Sequence, residues 1–306
     1  MISIDIETLL TIIYVLVDDW YQAEGHQMLK GKPGVKPTFS DSEVITLLVA
    51  MDFIPFPGET QFLAFVRANY GDLFPHLVDQ SQFNRRARSL RLLVEALREH
   101  WSAALGIAHE TQFLLDTKPI PVLGYKRSKR RSDFAGRADY GYCASRNLHY
   151  FGYKLVMVTT LQGIPVVYEL VPASWDERQA AETVLSRLSN CDIFGDKGFI
   201  GDEWQAQIYE QTGNRVWTVK RANQHDQNPA IFDQTLNRIR ERIEGAFHEI
   251  QNTGRYLERL LAKTVIGLST RVIAKVTSHA LKLLLRRDFG IDVLSFSACA
   301  TFSNSH

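Results

Sequence analysis

Three acidic residues stand in settings where a carboxylate is costly to keep. Asp116 follows the apolar run Phe113, Leu114, Leu115 in "TQFLLDTKPIPV" (111–122). Asp196 follows Ile193 and Phe194 in "IFGDKGFIG" (193–201). Glu244 is flanked by Ile243 and Phe247 in "RIRERIEGAFHEI" (238–250). A buried carboxylate without a partner is destabilising. Three of them converging on one place repel one another unless a cation sits between them. An all-oxygen ligand set suits Mg²⁺ or Mn²⁺, and Mg²⁺ takes one or two carboxylates together with waters and substrate phosphate oxygens. Two such ions about 4 Å apart activate a nucleophile and stabilise a leaving oxygen at phosphorus. The expected chemistry is therefore metal-assisted attack on a phosphodiester.

The elements around these acids must bring them together. Residues 111–116, 150–160 and 164–172 read as strands, the last two as a hairpin turning at Gly163; the two prolines after Lys118 are expected to end the first. A helix is expected at about 176–189 with Asp176 as its cap, then a short buried strand ending in Asp196. A helix over 202–212 capped by Asp202, a strand at 214–221 and helices at roughly 232–252 and 262–287 complete the order. Antiparallel strands followed by helix–strand alternation predict a mixed sheet with helices on its faces. Ligands bind such sheets beyond the carboxyl ends of their parallel strands, where Asp116 and Asp196 fall. Gly198 and Gly201 are expected to let the backbone approach whatever binds. Gly245 costs about 1 kcal/mol in a helix relative to Ala, which points to close packing or a close substrate there.

Before residue 110 the pattern is helical throughout. Helices are expected over 4–29, from a Ser40/Glu43 capping box onward, at 59–69, and at 81–106 with Ser81 as cap; "GKPGVKP" (31–37) reads as a linker. The expected division is a helical DNA-binding domain over 1–108, a catalytic domain over 109–290 and a tail over 291–306.

"LLDTKPIPV", "GDKGFIG" and the R-x-x-x-E of "RIRERIEGAFHEI" together resemble the catalytic motifs of bacterial insertion-sequence transposases of the DDE class. "LVPASWDER" (170–178) is similar to the segment after their third strand. The resemblance implies a five-stranded ribonuclease H-like core with Asp116, Asp196 and Glu244 as metal ligands for Mg²⁺ or Mn²⁺, two ions in all. It implies cleavage at transposon ends and joining of the 3′-hydroxyl to target DNA, by a homodimer assembled on terminal inverted repeats. Arg240 matches the arginine of the Y-x-x-R-x-x-x-E-x-x-x-x-x-x-K signature, whereas Asn237 and Gln251 replace its tyrosine and lysine. Only 47 residues separate Asp196 from Glu244, so no large insertion interrupts the core.

Charge supports a polyanionic partner. The formal net charge is +1, yet residues 1–110 hold 9 basic against 14 acidic residues, 124–146 hold 7 against 2, and 215–290 hold 14 against 7. Such blocks attract nucleic acid even in a near-neutral chain. Lys126, Lys129, Arg130 and Arg131 closely follow Asp116 and are expected to contact phosphate. In the helical region Gln82, Arg85, Arg86 and Arg88 crowd the first turns of one helix, a helix-turn-helix-like placement suited to reading base edges. The three cysteines form no CxxC pair, which argues against zinc or disulfides and for a reducing cytosol, and the resemblance implies a bacterial, nucleoid-associated one. No membrane partner is expected. Two other readings compete: a transposase-derived protein that only binds DNA, and an aspartyl-phosphate phosphatase with Asp116 as nucleophile. The latter normally needs an acid two residues on, where Lys118 stands.

Overall fold

The computed structural model describes residues 4–29, 37–54, 56–124, 130–144, 147–220, 228–252 and 256–293, without the side chains of Arg240, Ile243, Glu244 and Asn252. The linker residues 31–36, Lys126, Lys129 and residues 294–306 of the tail lie outside that set. The described chain forms two compact units.

The first unit is helical. It holds α1 (Ile6–Ala23), α2 (Asp41–Ala50), α3 (Glu59–Asn69), α4 (Gln80–Ser89), α5 (Arg91–Ala104) and, from Ile266 onward, α9 (Val265–Phe289). Leu9, Leu10, Ile13, Val17 and Trp20 recur at helical spacing on α1 and are buried as a stripe. The capping box of α2 forms as expected: Glu43 N–H donates to Ser40 Oγ, and the Glu43 carboxylate accepts from Ser40 N–H. The single helix expected over 81–106 is instead two, broken at Leu90. Its cap is Asp79, not Ser81; Asp79 accepts from Gln82 N–H at 2.8 Å and from Ser81 Oγ at 2.7 Å. Basic side chains of α9 face inward here: Lys275 meets Asp52 at 3.4 Å, Arg271 meets Glu59 at 3.2 Å, and Lys282 is buried. These cations of the 215–290 block are internal and do not form a polyanion-binding face.

The second unit is a mixed sheet. Its strands are β1 (Gln112–Leu123), β2 (Asp139–Cys143), β3 (Leu148–Thr160), β4 (Pro165–Pro172), β5 (Asp192–Gly195) and β6 (Arg215–Thr218). β3 pairs antiparallel with β1 along one side and with β2 and β4 in succession along the other; β5 and β6 continue parallel to β1. Leaving β2 aside, the order β4–β3–β1–β5–β6 is the ribonuclease H-like arrangement. The short edge strand β2 is an addition to the expected five.

β1 also runs past Pro119 and Pro121, which were expected to stop it. β5 pairs with β1 only over Gln112 to Leu114, so beyond that point one edge of β1 has no strand beside it among the described residues. A proline is tolerated where its missing N–H faces such an edge. The hairpin turns at Gly163, whose φ of +83° lies in the left-handed region that glycine enters freely.

α6 (Glu177–Leu185) and α7 (Asp202–Thr212) cover one face, where Phe113, Leu115, Val156, Val158 and Ile193 pack with Ala180, Val184, Trp204 and Ile208. Asp176 caps α6 as expected, whereas α7 is preceded by Gly201, with Asp202 as its first helical residue. α8 (Ala230–Asn252) buries Leu236, Phe247 and Ile250. Among the described residues no helix is long and apolar enough to cross a membrane.

Candidate active site

Strand register sets the geometry. Leu114 on β1 lies opposite Phe194 on the parallel strand β5. Two residues further along each chain stand Asp116 and Asp196, so the two acids leave adjacent strands at the same level. Neighbouring strands lie about 4.8 Å apart. The short β5 ends at Gly195, and Asp196 then caps a 3₁₀ turn, accepting from Gly198 N–H at 2.7 Å. Asp116 folds back onto its own strand and accepts from Thr117 N–H at 2.7 Å.

Asp116 is half-buried, and its carboxyl is pushed up to about 7. Burial is the main cause and the nearby Asp196 and Glu177 charges add to it, against the opposing effects of the Thr117 N–H and of Lys118. This is the behaviour of a buried acid with other acids beside it.

On the same face of β1, Lys118 holds its ammonium 5.6 Å from the centre of the Phe247 ring. α8 therefore packs on the face that carries Asp116. Ala246 lies against Gly163 of the hairpin, 3.2 Å from where a Cβ would stand. Glu244 is one helical turn before Phe247 on that helix; its side chain lies outside the described set, as does that of Arg240. Gly245 was expected to mark close packing or a close substrate; apart from its own helix backbone and its chain neighbours, no described atom lies within 4 Å of where its Cβ would be, so packing is not what it serves.

One acid of this edge was missed in the sequence. Glu177, the first residue of α6, accepts from Thr117 Oγ1 at 3.4 Å and lies against the backbone of Gly198. Burial raises its carboxyl, and the Asp196 charge raises it further. The only signal was the pair "DE" in "LVPASWDER": Asp176 accounts for the cap and leaves the second acid unassigned. The glycines expected to admit a ligand instead admit side chains, Gly198 the Glu177 carboxylate and Gly201 the Arg178 guanidinium. Among the described residues no three His, Cys, Asp or Glu side chains are gathered as a ready metal-binding group. The donors at this edge are nonetheless hard carboxylate oxygens that repel one another, a set that fits Mg²⁺ or Mn²⁺.

Residues 108–281 match the model of the transposase DDE domain family, more than half of the chain. The chain belongs to that family. No curated protein matches it. A solved structure, the Mos1 transposase paired-end complex with left transposon end, is similar at 14% identity over 75% of this chain and 85% of that one. Its TM-score of 0.20 is too low to build on.

The side chains expected to meet DNA separate into two groups in this DDE-family chain. Gln82 and Arg85 on α4 are exposed, and so are Arg130 and Arg131. Arg86 is turned inward, donating to the Phe39 carbonyl and to Asp41 at 2.6 Å. Arg88 is half-buried, and Asn84 donates to Glu59 at 2.8 Å. Arg86 is thus a structural residue of the helical unit, because α4 must bury one side against α2.

Proposed function

We propose that this DDE-family protein is a DNA transposase that uses divalent Mg²⁺ or Mn²⁺, two ions, to hydrolyse a phosphodiester at each transposon end and to join the freed 3′-hydroxyl to target DNA. The observation that carries this reading is the equal level of Asp116 and Asp196 on adjacent parallel strands, with the helix bearing Glu244 packed on the same face. Asp116, Asp196 and Glu244 would hold the ions. Bound there, the ions would activate the attacking oxygen and stabilise the leaving one.

The chain's own part is to position and to neutralise. Asp116, Asp196 and Glu244 would hold the ions beside the reacting phosphate, and none of the three needs to become covalently attached. Water is the first nucleophile and breaks the phosphodiester at the transposon end; the freed 3′-hydroxyl is the second and breaks one target phosphodiester as it forms the new one, releasing a target 3′-hydroxyl, with no enzyme adduct in either step. Arg130 and Arg131 would hold phosphates in a salt-dependent manner. Gln82, Arg85 and Arg88, joined by Lys126, Lys129 and Arg240, are the remaining proposed DNA contacts. The working form on DNA is proposed to be a homodimer.

The test is an end-labelled transposon-end duplex incubated with Mg²⁺ or Mn²⁺. Nicks bearing 3′-hydroxyls and joined products are expected. Asp116→Asn or Glu244→Gln should abolish both products while leaving binding largely intact. A trapped phosphoserine or phosphotyrosine link to DNA would overturn the mechanism, and wild-type binding without any nicking would favour a silent descendant.

A further inference from the structure

Glu177 occupies the first position of α6, where an acid ordinarily faces solvent and merely complements the helix dipole. This one is half-buried and directed at the strand ends. Gly198 provides its room: a Cβ there would overlap the Glu177 carboxylate and come within 3.0 Å of Asp196 Oδ1. One oxygen of Glu177 and one of Asp196 therefore both lie within 3.0 Å of a single point. Asp196 is held in that orientation by the Gly198 N–H. The cation electrostatically closest to Glu177, Lys154, gives its ammonium to the Trp175 carbonyl and forms no ion pair with Glu177.

We infer that Glu177 is a fourth acidic residue of this site and shares a divalent cation with Asp196; the inference rests on the metal-dependent reading above. Two carboxylates facing one small glycine raise each other's cost of ionisation, and a cation shared between them would relieve it. Mg²⁺ and Mn²⁺ need no more than one or two protein carboxylates, the rest of the shell being water and phosphate oxygens. The Glu177–Asp196 pair meets that need without a third described acid. Thr117, from β1, steadies the other Glu177 oxygen and ties the pair to the strand that carries Asp116.

The test is calorimetric titration of the full chain with Mn²⁺, together with thermal unfolding in chelator. Glu177→Gln should weaken Mn²⁺ binding by about 10- to 100-fold and raise the unfolding temperature without metal, because one repelling charge is gone. Gly198→Ala, which displaces the carboxylate but removes none, should also weaken binding. If its effect runs through Glu177, the double variant should bind no more weakly than the weaker single variant. Unchanged Mn²⁺ affinity in Glu177→Gln, with affinity lost in Asp196→Asn, would overturn this inference and leave the metal reading standing. A lower unfolding temperature with unchanged affinity would reduce Glu177 to a helix-terminus role. Should Glu177→Gln fail to fold, wild-type affinity in Gly198→Ala overturns the inference by itself. Absence of Mn²⁺ binding to the wild-type chain would remove the metal reading and this inference together.

Discussion

The two units treat buried charge in opposite ways. In the helical unit three inward-facing cations meet acids: Lys275 with Asp52, Arg271 with Glu59, Arg98 with Glu95. In the sheet unit Asp116, Asp196 and Glu177 gather at one edge, and none is in an ion pair with a described basic side chain. Burial penalises charge equally in both places. Where opposite charges share the penalty, the result is a framework; where like charges are left facing one another, the penalty stands, and the proposed cation would relieve it.

Breaking a framework pair should have the largest effect on stability. Lys275 and Asp52 are 2% and 5% exposed. Asp52→Ala takes the carboxylate from a buried ammonium and should cost about 3–5 kcal/mol in chemical denaturation. A loss below about 1 kcal/mol would place that pair with ordinary surface salt bridges.

The acidic edge should respond in the opposite direction. Because Asp116 is raised to about 7 in the folded state, its contribution to stability is fully present below its ordinary value of about 3.9 and is lost as pH rises through about 7. In chelator, Asp116→Asn should therefore stabilise the protein by about 1–3 kcal/mol at pH 8, after allowance for solvent screening. Near pH 3 it should have little effect. Thermal unfolding across pH checks this, and destabilisation at pH 8 would contradict the crowding of like charges. The same linkage predicts that Mn²⁺ binding releases protons and tightens as pH rises through about 7, measurable by titration in buffers of different ionisation enthalpy.

Smaller effects separate the arginines of α4. Arg86→Ala removes a half-buried pair with Asp41 and should cost about 1–2 kcal/mol of stability. Arg85→Ala should stay within about 0.5 kcal/mol yet weaken cognate DNA by about 1–3 kcal/mol relative to scrambled DNA. Equal losses on both DNAs would mean that Arg85 holds only backbone.

The site was legible in the sequence to the extent that its residues advertise cost. Asp116 and Asp196 each follow apolar residues of a core strand, β1 and the short β5, and that placement was enough to expect them together. The hairpin at Gly163 and the α2 capping box were legible for the same reason: local chemistry decides them. Glu177 was not legible. An acid in a first helical turn looks the same whether it faces water or a neighbouring carboxylate, and only the packing of α6 beside Gly198 distinguishes the two. Arg86, Lys275 and Lys282 failed in the reverse sense. They read as part of basic surfaces, but Arg86 and Lys275 meet acids from distant segments that no spacing reveals, and Lys282 is buried. The length of β1 was misjudged because a proline ends a strand only when its N–H is required.

The central claim is that Asp116, Asp196 and Glu244 hold a divalent cation where Asp116 of β1 stands level with the end of β5. Crystals of the full chain grown in Mn²⁺ would test it through anomalous scattering. The account predicts a peak bridging Asp116 and Asp196, with the Glu244 carboxylate turned toward it from α8. Saturating Mn²⁺ with no peak at that edge, or with all bound metal elsewhere, would contradict it.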